Sequence, residues 1–345
     1  MTDNPTKPVT ASPAAQSQSL PDRTTLIAFG GFVLIGGGAA LSVRYIYGEL
    51  APFWSGALRF GLAALIFWAL MAIRRVPLPR GRALTGAILF GSLSGAAMLL
   101  IYYGLTKTQA SFFQTLAAIV PLLTLLFAAA HGLETLRRRG VAGGLLAVVG
   151  IAIAVSGSLS TGVEVSLPHL LAIVAGAACF AEAGIVIKLF PPSHPYATNA
   201  VAMTINTSIL AAGSLILGET WVFPSLASTW MAMAYIVVGA TVVGFLLYLS
   251  ILKRWTATGA SYGFVLTPIV TVILASLLTD ETIALVFVAG AAVVLAGVYV
   301  GALMPAKKVA EPSVPALATE PSELAVATEP YMEDIHARPG MPNCI

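Results

Sequence analysis

Residues 121–150 read PLLTLLFAAAHGLETLRRRGVAGGLLAVVG, and residues 268–297 read PIVTVILASLLTDETIALVFVAGAAVVLAG. Pro121, Glu134, Gly143 and Gly150 each recur 147 positions later, as Pro268, Glu281, Gly290 and Gly297, with no gap. Between 119–151 and 266–298, nine of 33 aligned positions are identical, the other five being Thr124/Thr271, Ala128/Ala275, Thr135/Thr282, Val141/Val288 and Ala142/Ala289. Some matches in an apolar chain come from composition alone. A shared Pro-x12-Glu-x8-Gly-x6-Gly frame does not. The frame marks an internal duplication, which governs how everything else in the chain is read.

Composition sets the class. Of 345 residues, 58% are hydrophobic and 10% charged, and the mean hydropathy is +0.89. Soluble domains carry about 25% charged residues. Charge is also segregated into basic clumps between long uncharged runs, so the clumps mark membrane topology, the net charge of +3 says nothing about nucleic acid, and no nucleic-acid partner is expected. Cys179 and Cys344 cannot make a disulfide framework, and Cys344 is penultimate, which breaks the prenylation spacing.

In chain order, residues 1–23 are rich in Pro, Ser, Thr and Gln and read as a disordered arm without a signal-peptide core. Apolar segments of bilayer-spanning length follow at 25–43, 52–72, 83–103, 109–130 and 140–157, then at 168–189, 197–217, 229–250, 258–278 and 283–303. The expected fold is therefore an all-α polytopic membrane protein of ten transmembrane helices in two five-helix units, 24–157 and 168–304. A polar outer linker, 158–167, separates them, and the Pro/Ala/Glu-rich stretch 305–345 reads as a disordered cytoplasmic tail.

Basic residues fix the orientation. With the N-terminus in the cytoplasm, inner loops receive Arg74, Arg75, Arg80 and Arg82, then Arg137 to Arg139, Lys188, Lys253 and Arg254, while outer loops receive Arg44 and Lys107. That bias puts both termini inside. Five helices per unit is odd, so the second unit enters the membrane inverted. Arg137, Arg138 and Arg139 align with Ala284, Leu285 and Val286, so packing residues were kept while loop charge was edited. Inverted topology predicts that pattern.

The segments Glu49-Leu50-Ala51-Pro52 through Ala57-Leu58-Arg59-Phe60, Pro121 to Glu134, and Pro268 to Glu281 resemble the drug/metabolite transporter superfamily, EamA type. The resemblance covers about residues 25–303. It implies two inverted five-helix repeats whose first four helices line a central cavity, and secondary transport, often export, of small metabolites, amino acids or drugs.

Charges inside the spans are the first candidates for substrate or ion coupling, because an unpaired charge there is costly and tends to face a cavity. Arg59 lies about 10 Å below the outer edge of helix two and Glu182 about 9 Å from the inner edge of helix six. Glu182 is a candidate proton carrier; Arg59 can equally snorkel outward, and Glu182 can equally pair with a neighbouring helix or with Lys188. Gln114 and Thr115 in helix four, and Asn199 and Asn206 in helix seven, can bind a solute or hydrogen-bond helices together. Asn206 lies nearest mid-membrane. Tyr102, Tyr103 and Tyr262 can line a cavity or anchor at an interface. Pro121 and Pro268 should kink or unwind their helices, and matched breaks in two halves point to a transport path. Glu134 and Glu281 read as structural pins at the membrane edges. Gly91-x3-Gly95, Gly140-x3-Gly144 and Gly297-x3-Gly301 read as close helix packing.

No catalytic cluster suggests an enzyme, no repeated filter a channel, and His131 and His169 are too scattered for a metal, so neither metal nor cofactor is expected. The expectation is a secondary transporter in a bacterial inner membrane, exporting a small neutral or zwitterionic solute and exchanging protons. Uptake by the same fold and a non-transporting scaffold are the alternatives. The lipid bilayer and a small-molecule substrate are the partners implied, and monomer and homodimer are both compatible with the sequence.

Overall fold

The computed structural model describes residues 21–106, 119–136, 138–156, 167–279 and 285–303. Among the described residues the secondary structure is helical, without strands. Its helices are α1 (Arg23–Tyr47), α2 (Pro52–Ile73), α3 (Arg82–Leu105), α4 (Val120–Ala130), α5 (Arg138–Ser156), α6 (Leu167–Leu189) and α7 (Pro195–Ile216). Next come α8 (Ala227–Arg254), α9 (Ala257–Thr279) and α10 (Leu285–Val298, continued by Tyr299–Leu303). Five of them, α2, α3, α6, α7 and α8, are long and apolar enough to cross a membrane by themselves. Local signals set several boundaries. Pro52 and Pro195 open α2 and α7, where a missing N–H costs nothing. Asp22 caps α1 through the Thr25 amide, and Gly218 closes the turn after α7 at φ +66°.

The principal packings repeat themselves when every helix number is advanced by five. The pairs α1–α8, α1–α9 and α2–α8 map onto α6–α3, α6–α4 and α7–α3, while α2–α7, α4–α9 and α5–α10 map onto themselves. Contact register gives the direction. A side chain at Gly143 would strike the Gly297 carbonyl at 2.6 Å, and one at Gly150 would strike the Gly290 carbonyl at 2.9 Å. As the number rises on α5 it falls on α10, so these helices run antiparallel. The glycines of the duplicated frame are therefore the surface on which its two copies meet. Their bare Cα atoms let the two backbones touch, which packs helices where no hydrophobic drive operates.

Three expectations are corrected or refined. α9 continues through Pro268 without unwinding. α8 is not regular: Tyr235–Val243 is π-helical between Ala227–Ala234 and Gly244–Arg254. α1 runs to Tyr47, one turn past the predicted end, and its last turn reaches the cavity described below.

Candidate functional site: a cavity between the repeats

A cavity of about 220 Å3 lies between helices of both halves. Phe32, Gly36, Ala39, Val43 and Tyr47 of α1 line one wall, Arg59 of α2 and Met98, Ile101, Tyr102 and Leu105 of α3 another. Phe180 of α6, Ala240, Phe245 and Tyr248 of α8, and Phe264 and Thr267 of α9 complete it. The lining is apolar and aromatic except at a few points. Such a surface with sparse convergent polar groups is the usual form of a small-molecule site.

Arg59 supplies the charge. Its Nε donates to Thr241 Oγ1 at 2.7 Å, and its guanidinium carbon lies 4.9 Å from the centre of the Phe60 ring. Thr241 sits in the π-helical stretch and donates its own proton to the Ile236 carbonyl, five residues back, at 2.8 Å. The widened turn thus carries the hydroxyl that holds Arg59. Another anchor of that stretch is Tyr235, whose hydroxyl donates to the Ile35 carbonyl of α1 at 3.0 Å, over the bare surface of Gly38. Single π turns often mark functional positions in helices.

Toward the basic helix ends the cavity stops at four interlocked rings. Phe32 lies 5.8 Å from Tyr248 and 5.2 Å from Phe264, while Phe180 lies 5.6 Å from Tyr248 and 5.0 Å from Phe264. Tyr248 and Phe264 are 5.8 Å apart. The rings come from α1, α6, α8 and α9, and most meet edge to face, the arrangement that ring quadrupoles favour. They sit at about the same depth, since each stands roughly 9–14 Å along its helix from the basic end.

Beyond that layer lies the basic end itself. Glu182 does not line the cavity and does not pair with Lys188. Its carboxylate meets His131 Nε2 at 3.3 Å, and His131 Nδ1 lies 2.9 Å from the Phe127 carbonyl at the end of α4. Lys188 instead donates to the Trp255 carbonyl at 2.6 Å, Lys253 donates to the Ser193 carbonyl at 3.0 Å, and Arg254 lies 3.6 Å from Asp22. Glu134 accepts from the Thr258 amide at 3.2 Å, holding the first turn of α9 from the end of α4. The corresponding Glu281 lies outside the described residues.

At the opposite end two other carboxylates do similar work. Glu219 accepts from the Phe53 and Trp54 amides at 3.1 and 2.7 Å, capping α2 from the α7–α8 loop. Glu49 accepts from the Leu226 amide at 3.1 Å and from the amide and hydroxyl of Ser225, capping α8 from the α1–α2 loop. The hydroxyls of Ser225 and Thr229 beside it, with these amides, lower the Glu49 carboxyl from 4.5 to about 2. Trp54 and Trp221 stack at 4.5 Å over this cross-tie.

The remaining candidates lie elsewhere. Asn199 and Asn206 are buried on α7, which packs against α2 and α3. Asn206 Oδ1 accepts from Ser94 Oγ at 3.0 Å, and its amide nitrogen, like both polar atoms of Asn199, has no partner among the described residues. Tyr262 is fully buried away from the cavity, its hydroxyl donating to the Gly140 carbonyl at 3.4 Å beside α5 and α10. Tyr103 stacks on His169 rather than facing inward. Gln114 and Thr115 lie outside the described residues. Of the residues singled out from sequence, Arg59 and Tyr102 line the cavity. Tyr47, Thr241 and the four-ring layer were not singled out, because their roles depend on partners some 50 to 230 positions away.

A membrane-embedded bundle of two antiparallel copies around one apolar cavity defines a class, the inverted-repeat integral membrane transporters. The chain belongs to the EamA-like transporter family, which matches it twice, over residues 23–156 and 167–302. It is 27% identical over 278 residues to the "Uncharacterized transporter YyaM" of Bacillus subtilis (strain 168), covering 78% of this chain and 90% of that protein. A solved crystal structure superposes with a TM-score of 0.70 at 21% identity, covering 82% of this chain and 97% of the other; that likeness concerns the fold alone.

Proposed function

We propose that this protein is a secondary active exporter of a small, largely apolar organic solute, working by alternating access in a bacterial cell membrane. In this reading ten crossings leave both termini on one side, which the basic loops make the cytoplasm, and the four-ring layer faces that side. The observation that carries the reading is the cavity itself, lined by both repeats and stopped toward the basic end by rings from four different helices. Inverted copies give such a layer a counterpart: a rocking motion that parts the rings would close the opposite end by the mirrored packing. The His131–Glu182 pair joins α4 to α6 below the layer, and protonating Glu182 would release it. Proton exchange there would tie opening of the basic end to the proton gradient.

Metabolite profiling of cells and medium, with and without the protein, tests the reading. Export predicts a solute enriched in the medium and depleted in cells, and lost with Arg59→Gln. The reverse distribution would turn the direction around, and no difference in either compartment would remove transport. For the coupling, proteoliposomes under an imposed pH gradient compare the native protein with Glu182→Gln; full gradient-driven transport by the variant would remove Glu182 from that role.

A further inference from the structure

We infer that the cavity selects monoanions, with Arg59 and Tyr47 as the carboxylate seat and the aromatic walls as the seat of an apolar body. The inference rests on the transporter reading and narrows its substrate class, away from the neutral or zwitterionic solute expected from a single basic residue, Arg59, inside the spans.

Arg59 enters the cavity without an ion-pair partner among the described residues. Among the described residues no acidic side chain lines the space, and the ion pairs are His131–Glu182 and Asp22–Arg254, neither involving Arg59. Thr241 fixes Nε, while the two terminal nitrogens have no acceptor among the described residues. A guanidinium tethered by Nε keeps the orientation of its remaining N–H groups, which can meet one carboxylate with two parallel bonds. The Tyr47 hydroxyl is the second observation. It lines the same cavity, is buried and has no hydrogen-bond partner among the described residues, although buried hydroxyls nearly always find one. Arg59, Tyr102 and the Glu219 carboxylate all lie within its electrostatic reach, Glu219 being held by the Phe53 and Trp54 amides, and the Tyr47 and Tyr102 rings are 6.0 Å apart. An unpaired cation and an unpaired hydroxyl in one apolar space are what an incoming anion would satisfy.

The rest of the lining limits what else the ligand carries. Met98, Ile101, Phe180, Phe245 and Phe264 accept an apolar or aromatic body. Among the described lining residues a second negative charge would find no second cation, and an ammonium would find no carboxylate. At about 15 Å3 per water-sized volume, the cavity holds on the order of a dozen heavy atoms. An arylalkyl carboxylate has that size.

Three probes share one body and differ in charge: 3-phenylpropanoate, phenylalanine and 2-phenylethylamine. Binding of each to the purified full-length protein is measured by calorimetry at neutral pH. The expected result is that 3-phenylpropanoate binds about tenfold or more tighter than either other probe. Arg59→Gln should cut its affinity about tenfold or more, Arg59→Lys should restore part of it, and Tyr47→Phe should cost about threefold or more. The amine must not weaken in Arg59→Gln. Equal or tighter binding of the amine, which the aromatic walls could hold by cation–π contact, overturns the inference; so does equal or tighter binding of phenylalanine, or no saturable binding of any probe. If the Arg59 variants do not fold, the order of the three probes on the native protein still decides. Binding needs no gradient, so the charge order without transport would sink the transport reading alone. Transport of amines instead of carboxylates would sink only this inference.

Discussion

Adding one methyl group to the α5–α10 crossing should loosen the joint between the repeats. At Gly143 a Cβ would lie 2.5 Å from the Gly301 Cα and 2.6 Å from the Gly297 carbonyl oxygen. At Gly297 it would lie 2.7 Å from both the Ala147 amide nitrogen and the Gly143 carbonyl oxygen. Non-bonded carbon contacts relax to about 3.5–4.0 Å, so the helices must part by roughly 1 Å, and backbone cannot turn aside as a side-chain tip can. Overpacking of that kind costs about 1–3 kcal/mol. Alanine's better helix propensity offsets at most about 1 kcal/mol. Gly30 on α1 supplies the control, since its Cβ would meet nothing within 4 Å. Gly143→Ala should therefore lower the apparent melting temperature in detergent while Gly30→Ala holds or raises it. Once Gly143→Ala has separated the helices, Gly297→Ala at the same crossing should add less than it costs alone, by about 0.5 kcal/mol or more. Gly143→Ala as stable as Gly30→Ala, or full additivity of the pair, would refute the backbone-contact reasoning.

Further perturbations reach the ends and the cavity. Glu219→Ala removes the acceptor for two first-turn amides of α2 and should cost about 1 kcal/mol or more, with altered tryptophan fluorescence as the Trp54–Trp221 stack loosens. Because its folded carboxyl is depressed, Glu49 stabilises the outer cross-tie fully above its ordinary value of 4.5, and that contribution fades as pH falls toward about 2. Acid titration of tryptophan fluorescence should show a transition in that window, absent in Glu49→Gln. Thr241→Val leaves Arg59 Nε without its acceptor and should weaken 3-phenylpropanoate binding by up to about tenfold in calorimetry, without changing the charge order.

The sequence carried the fold further than the site. Repeat frame, apolar lengths and charge map located most of the described helices to within a few residues, because period, length and charge are properties of single segments. The first half of the expected fourth span, 109–130, lies largely outside the described residues. Of the frame glycines, Gly297 was legible as packing through Gly297-x3-Gly301, but none as packing against the other copy of the frame. That required the α5–α10 register. The π-helical stretch of α8 was not legible: its five-residue hydrogen bonds accompany tertiary anchors, Thr241 on Arg59 and Tyr235 on the Ile35 carbonyl. Arg59 stood out because a charge in a long apolar run is rare. Tyr47 did not, since a tyrosine near a helix end reads as an interface anchor until its buried hydroxyl is seen to lack a partner. Glu182 also stood out, yet its partner, His131, lies 51 positions away on another helix.

Access to the cavity tests the account most directly. In a chain with Cys179 and Cys344 replaced by serine, Ala39→Cys places one thiol on the cavity wall. A membrane-impermeant maleimide is then applied to right-side-out and to inverted vesicles. Alternating access predicts that Ala39→Cys is labelled from both sides, and that Tyr248→Ala, by thinning the four-ring layer, speeds labelling from the cytoplasmic side. Labelling from one side alone, unchanged by Tyr248→Ala, would contradict it.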